Sequence, residues 1–196
     1  MANRDLEFLF EIATLRNVPR GWKQHFVGEE VASVLEHTVR VMLLALIIAR
    51  NEGGVDEGKV LKMALIHDLQ EARISDLNYV PKVYITADED RAAADMLHDT
   101  SIPDYLDVFR EAEAKESVEA RIVKDADNLD IDLELKEIEN TGSPLPKKWA
   151  PFRRAVRDNK LYTKTAKKIW DEIQTADVDT WHLTMNKWLN GKDKII

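Results

Sequence analysis

"ALIHDLQEA", residues 64–72, sets a histidine and an aspartate side by side in apolar company. Ala64, Leu65, Ile66, Leu69 and Ala72 belong in a helix that faces a core. Burying an imidazole and a carboxylate there is costly unless something opposite compensates. The stretch therefore raises two expectations. The chain is helical here, and a partner faces His67 and Asp68.

Outward from it, the same periodicity repeats. Residues 3–15 carry Leu6, Leu9, Ile12 and Ala13 at helical spacing, with Asn3 as a cap. Pro19 and Gly21 in "RNVPRGW" break that helix. A long helix is expected over residues 31–51, closed by Gly53 and Gly54. Asp56 can cap the helix that carries the opening stretch, and "SDLNYVP" ends it. Thr86 with Glu89 makes a capping box for "ADEDRAAADMLHD". Ser101 and Pro103 precede "DYLDVFREAEAK". Ser117 opens a helix running to about residue 139, with Ile122, Ala126, Leu129 and Leu133 on one stripe. "NTGSPLP" ends it, and two more helices are expected over about 160–174 and 179–189. No segment alternates with period two, and no repeat or low-complexity linker interrupts the chain. The expected fold class is all-α, in one domain.

Bulk properties narrow the function. The chain has 196 residues, 44% hydrophobic and 33% charged, a globular balance long enough for a real core. A net charge of −8 argues against a general nucleic-acid or membrane-surface binder, which needs a basic face. A small anionic ligand stays possible, because one local arginine or a metal overcomes the global field. Cysteine is absent, which excludes disulfides, a thiol nucleophile and thiolate metal sites. "MANRDLEFLF" lacks the apolar run of a signal peptide. "VMLLALIIA", residues 41–49, is too short to span a bilayer. The expected location is the cytoplasm.

The polar residues fall in a pattern on these helices. His37 shares the apolar face of Val34, Val41, Leu44 and Ile48. Val60, Ala64, His67 and Glu71 share a face on the next helix. Asp68 lies about 100° around from His67, so both can reach one point. Glu71 sits beside both. A lone His37 would read as a core histidine bonded to a carbonyl. An adjacent buried His-Asp pair is rarely only structural. Two imidazoles and a carboxylate suit a divalent metal with one further ligand. "VKDADNLDIDLEL" offers Asp125, Asp127, Asp130 and Asp132 for that place, and helical spacing does not choose well among them. Three of these four are expected on a solvated face.

"SVLEHTVRV", "ALIHDLQEARISD" and "IVKDADNLD", in this order, resemble the HD-domain superfamily of metal-dependent phosphohydrolases, most closely its 5′-deoxynucleotidase (oxetanocin-like) branch. Ser33 to His37 match its S-V-x-E-H. His67 to Glu71, then Ser75-Asp76, match H-D-x-x-E and a following G-D, with serine where glycine is usual. Val123 to Leu129 match V-K-x-x-D-x-L. The resemblance covers about residues 5–140. It implies one HD domain over 1–196, with a metal-site core over about 5–140 and a helical extension over about 145–196.

It also implies roles. His37, His67, Asp68 and Asp127 would bind one divalent ion, the resemblance choosing Asp127 among the four acids. Manganese, iron, cobalt, nickel and zinc all suit such donors. Superfamily members with two metals use extra histidines, and only His98 lies in the relevant interval. Glu71 would be catalytic, orienting water or moving its proton. Asp76 would position substrate or water. Arg20 and Trp22 resemble an arginine and a tryptophan that precede the first ligand helix in this branch, although Gly21 separates them here. Arginine can hold a phosphate through two hydrogen bonds, and tryptophan can pack on deoxyribose and exclude a 2′-hydroxyl. Trp149, Trp170, Trp181 and Trp188 read as core or dimer contacts. The expected activity is release of phosphate from deoxyribonucleoside 5′-monophosphates by a homodimer. The alternatives are a superfamily phosphohydrolase of another phosphate ester and a non-catalytic nucleotide-binding module.

Overall fold

The computed structural model describes residues 3–26 and 28–183. Among these, ten α-helices follow one another and no strand forms. They are α1 (Asn3–Ile12), α2 (Val34–Glu52), α3 (Glu57–Ile66), α4 (Glu71–Ile74), α5 (Glu89–Leu97), α6 (Tyr105–Ala114), α7 (Val118–Asn140), α8 (Leu145–Asn159), α9 (Lys164–Thr175) and α10 (Thr180–Leu183). The fold class is all-α, as expected. The side chain of Asn3, residues 184–189 of the last expected helix, and Trp188 lie outside the described residues.

Local chemistry starts and stops these helices. The Ser33 hydroxyl accepts from the Glu36 N–H, and the Glu36 carboxylate accepts from the Ser33 N–H, a reciprocal box that opens α2. Gly53 ends it at φ 72°, a conformation that favours glycine. Asp56, Ser117 and Thr163 cap α3, α7 and α9 through their side chains. The box expected at Thr86 does not form. Asp88 takes the cap by accepting from the Arg91 N–H, so Glu89 falls at the first helical position and cannot reach back.

Three further departures bear on the site. First, the opening stretch is not one helix. α3 stops at Ile66, and residues 67–70 wind tighter, with the Leu69 N–H on the Ile66 carbonyl and the Glu71 N–H on that of Asp68. Second, α8 forms where the sequence reading placed no helix. Pro144 and Pro146 sit where a helix start tolerates proline, because those N–H groups have no partner in any case. The interior Pro151 is exposed. Third, the acids of α7 do not form a solvated face. Asp125 and Asp130 are 0% exposed and Asp132 is 4% exposed.

Each buried acid has a dedicated partner. Asp125 accepts from the Tyr162 and Thr163 N–H groups and from the Thr163 hydroxyl, fixing the approach to α9. Asp132 takes two hydrogen bonds from Arg153, at 2.9 and 2.7 Å, which fasten α8. Asp130 serves the site below. Around these fasteners α2, α3, α7 and α9 share a core that includes Ile48, Met63, Ile122, Leu129 and Trp170. α1 turns Phe8 and Ile12 onto a second cluster and leaves Leu6 and Leu9 exposed. No described helix is long and apolar enough to cross a membrane.

Candidate metal centre

α2, the tight turn after α3, and α7 meet at one point. His37 comes from α2, His67 and Asp68 from the turn, and Asp127 from α7. One nitrogen or oxygen of each lies within 4.8 Å of the others. Among the described residues, this group alone is close-set enough to hold a metal ion.

The hydrogen bonds around it decide how the rings present themselves. His37 Nδ1 lies 2.6 Å from an Asp130 oxygen, so its N–H donates to that carboxylate. His67 Nδ1 lies 2.8 Å from the Ala64 carbonyl, an acceptor only, so it too donates. Both Nε2 atoms then face inward, 3.3 Å apart. Two imidazole lone pairs at that distance repel unless a cation stands between them or one ring carries a second proton. The Asp68 oxygen is 3.3 Å from His37 Nε2 and 3.2 Å from that of His67, and the Asp127 oxygen is 3.4 Å from His37 Nε2. Such a donor set fits a divalent transition ion, with each imidazole steered by an outer acceptor.

The electrostatics agree. Burial and the Arg20 charge oppose a second proton on His37, yet the carboxylates of Asp127, Asp130 and Asp68 raise its pKa well above the usual range. Burial opposes ionisation of Asp68, but His67, His37 and Arg20 hold it well below the usual range. Asp127 is held low in the same way, chiefly by Lys124, whose ammonium lies 2.6 Å from its second oxygen. Positive charge is demanded at this point. A proton on His37 supplies one unit, and a bound dication would supply two.

Glu71, at the start of α4, is buried with one oxygen lacking any partner. Burial, with Asp68 and Asp76 nearby, pushes its pKa up to about 10. Asp76 does not join the cluster. It accepts from the Gly21 N–H at 2.8 Å and pairs with Arg20 at 3.1 Å. The guanidinium of Arg20, 6% exposed, also lies 3.1 Å from Asp68 and 3.4 Å from Asp127. Arg20 therefore braces two of the four candidate ligands. Its loop is strapped to the start of α2 by the Arg20 N–H on the Ala32 carbonyl and the Val34 N–H on that of Val18. Gly21 keeps the loop close to Asp76: a Cβ there would stand 2.3 Å from the Asp76 carbonyl. Trp22 is buried against Phe26 and Trp149. Beside Arg20 opens a cleft of about 520 Å³, lined by Trp22, Asp76, Ile131, Trp149 and Phe152 among others.

Sequence reasoning offered Asp130 only as a fourth ligand or a solvated acid, and missed the roles of Lys124 and the cleft residues of α8. Asp130 follows Asp127 by three residues and so shares its face of α7, a signal that was available. It is 0% exposed and also holds Arg40. Replacing it removes the acceptor that orients His37. Asp130→Ala should weaken metal affinity by about 10- to 100-fold, the usual cost of losing such a partner, as read by competition with a chelator. Unchanged affinity would show that the Asp130 bond does not hold the ring.

Two inward histidine nitrogens and two carboxylates at the meeting of the central helices define a class of helical proteins with a donor group that could hold a metal ion. Residues 12–177 match the HD domain family, and the chain belongs to it. It is 30% identical over 141 residues to the zebrafish (Danio rerio) protein named 5′-deoxynucleotidase HDDC2, covering 68% of this chain and 69% of that one. The human (Homo sapiens) protein of the same name is 27% identical over 142 residues, covering 69% and 68%. A conserved hypothetical protein from Pyrococcus furiosus superimposes with a TM-score of 0.72 at 28% identity, over 87% of this chain and 99% of that one. A predicted metal-dependent phosphohydrolase from Magnetospirillum magnetotacticum shares the fold, with a TM-score of 0.66 at 22% identity, over 87% and 91%.

Proposed function

We propose that the chain is a metal-dependent 5′-deoxynucleotidase that cleaves deoxyribonucleoside 5′-monophosphates to deoxynucleoside and phosphate. The observation that carries the reading is the pair of inward Nε2 atoms 3.3 Å apart beside Asp68 and Asp127. The relatives named 5′-deoxynucleotidase support the substrate class. His37, His67, Asp68 and Asp127 would hold one ion of manganese, iron, cobalt, nickel or zinc. When bound, such an ion makes water nucleophilic near neutral pH and offsets phosphate charge. The protein's own groups do the rest. Glu71 takes the proton from the attacking water; its buried carboxyl feels the charges of Asp68 and Asp127. Arg20 steadies Asp68 and Asp127 and offers positive charge to the phosphate. Asp76 holds Arg20 and the Gly21 amide in place. Trp22 forms a wall for the sugar.

Residues 1–196 then act as one HD domain. The fastening of α8 through Arg153 and of α9 through Asp125 supports counting the C-terminal helices with the metal-site core. A homodimer fits the exposed stripe of Leu35, Val39, Leu43 and Ile47 on α2, and the cytoplasm is its proposed location. An outward apolar row at this spacing suits a second helix.

The test is phosphate release from nucleoside mono-, di- and triphosphates with each of several divalent ions. Release from deoxynucleoside monophosphates, lost on chelation, is expected. A preference for triphosphates, or no release from any nucleotide, would overturn the reading.

A further inference from the structure

We infer that α8 supplies a binding wall for the nucleobase, with Phe152 as its outer stacking face and Trp149 as its floor. This rests on the phosphomonoesterase reading above. None of the four candidate ligands lines the cleft beside Arg20, but two of its lining residues lie next to them. Ile131, on its wall, is one helical turn along α7 from Asp127, and Arg20 touches Asp68 and Asp127 directly. At about 520 Å³ the cleft falls in the range of small-molecule sites.

Its lining changes character from inside to outside. The inner end is charged: the Arg20 guanidinium and the Asp76 carboxylate line it, paired at 3.1 Å. At the outer end the walls are carbon faces. Phe152 is 72% exposed and Tyr79 is 65% exposed, large aromatic surfaces left in water. The polar side chains at this end are already committed. Arg153 is held by Asp132 and the Asn128 carbonyl. Asn78 donates to the Gly21 carbonyl and to Gln24, and accepts from the Val80 N–H. A ligand matching this gradient has an anionic end toward Arg20, a polar middle, and a flat ring at the far end. A nucleoside monophosphate has that order of parts. Bases stack on aromatic side chains through a π-face that all of them possess.

Trp149 also packs on Trp22 and Phe26, so its removal would disturb the fold. Phe152 is the cleaner probe, because most of its surface is already exposed. The experiment compares two substrates on the metal-loaded enzyme: deoxyadenosine 5′-monophosphate, and deoxyribose 5-phosphate, which has the same ester and no base. Phe152→Ala should lower kcat/KM for the nucleotide by at least about fivefold, the low end for one base–aromatic stack, mainly through KM. It should leave deoxyribose 5-phosphate unchanged, and Phe152→Trp should restore the nucleotide. An equal loss on both substrates would make Phe152 a structural residue, and no loss on either would place the base elsewhere. Both outcomes overturn the proposal while the parent reading stands. A wild-type enzyme inert toward the nucleotide overturns the parent reading and this one with it.

Discussion

Asp68→Ala should purify without divalent metal, release no measurable phosphate, and melt at the same temperature with and without added ion. Asp68 is the carboxylate shared most widely in the site. Its oxygen lies within 3.3 Å of both inward histidine nitrogens and 3.1 Å from Arg20. Removing it opens the donor set and leaves the Arg20 charge with one partner fewer. In the wild type, an ion at a hundred times its Kd adds about 2.7 kcal/mol to the folded state. For a chain of this size that raises the melting temperature by roughly 5–10 °C. The variant should lose that rise entirely, and His67→Ala should behave alike. Metal content by elemental assay, together with melting curves, decides the matter. Full metal occupancy in either variant would remove these residues from the ligand set.

Glu71→Ala should do the opposite to metal and the same to turnover. The four proposed ligands do not include Glu71, so the variant should keep its ion and still bind a deoxynucleoside monophosphate. Turnover should fall by at least about a hundredfold, the scale for losing a positioned acid–base group. A second readout comes from the metal-free protein. There the folded-state pKa of Glu71 is raised from 4.5 to about 10 by burial first, then by Asp68 and Asp76. A carboxyl whose pKa rises on folding favours the folded state below its ordinary value, and that contribution is lost as pH climbs toward the raised one. Metal-free wild type should therefore lose stability from about pH 5 upward, and Glu71→Ala should flatten the decline. Loss of metal in the variant would make Glu71 a ligand. Near-normal turnover would move the proton-accepting role elsewhere, with Asp76 next in line.

The helix-rich fold was legible because apolar spacing survives any detail of the turns. His37 could be placed on the apolar face of its helix from the sequence, and it is 0% exposed. The meeting of His37 with His67 and Asp68 was legible for a weaker reason. The spacing argument assumed one continuous helix, whereas the turn at 67–70 delivers Asp68 by a tighter path. The choice of Asp127 came from family pattern, not from helical physics. Three buried acids beside it look equally polar in a sequence, and burial depends on partners far along the chain: Arg40, Thr163 and Arg153. α8 was not read because three prolines interrupt its stretch, while the force that fixes it is tertiary. Thr86 failed as a cap because a better-placed aspartate stood two residues on.

One consequence of the buried acids on α7 concerns how this chain tolerates change. Asp125, Asp127, Asp130 and Asp132 point to four different destinations: the turn before α9, the cluster with His37, His67 and Asp68, the Nδ1 edge of His37, and α8. A substitution disconnects one of them. An inserted or deleted residue between Asp125 and Asp132 would rotate everything beyond it by about 100°, mis-aiming several at once. α7 therefore works as an indexing shaft for the whole molecule. Length variation belongs in the loops at its ends, while its interior admits exchange of residues and no change in their number.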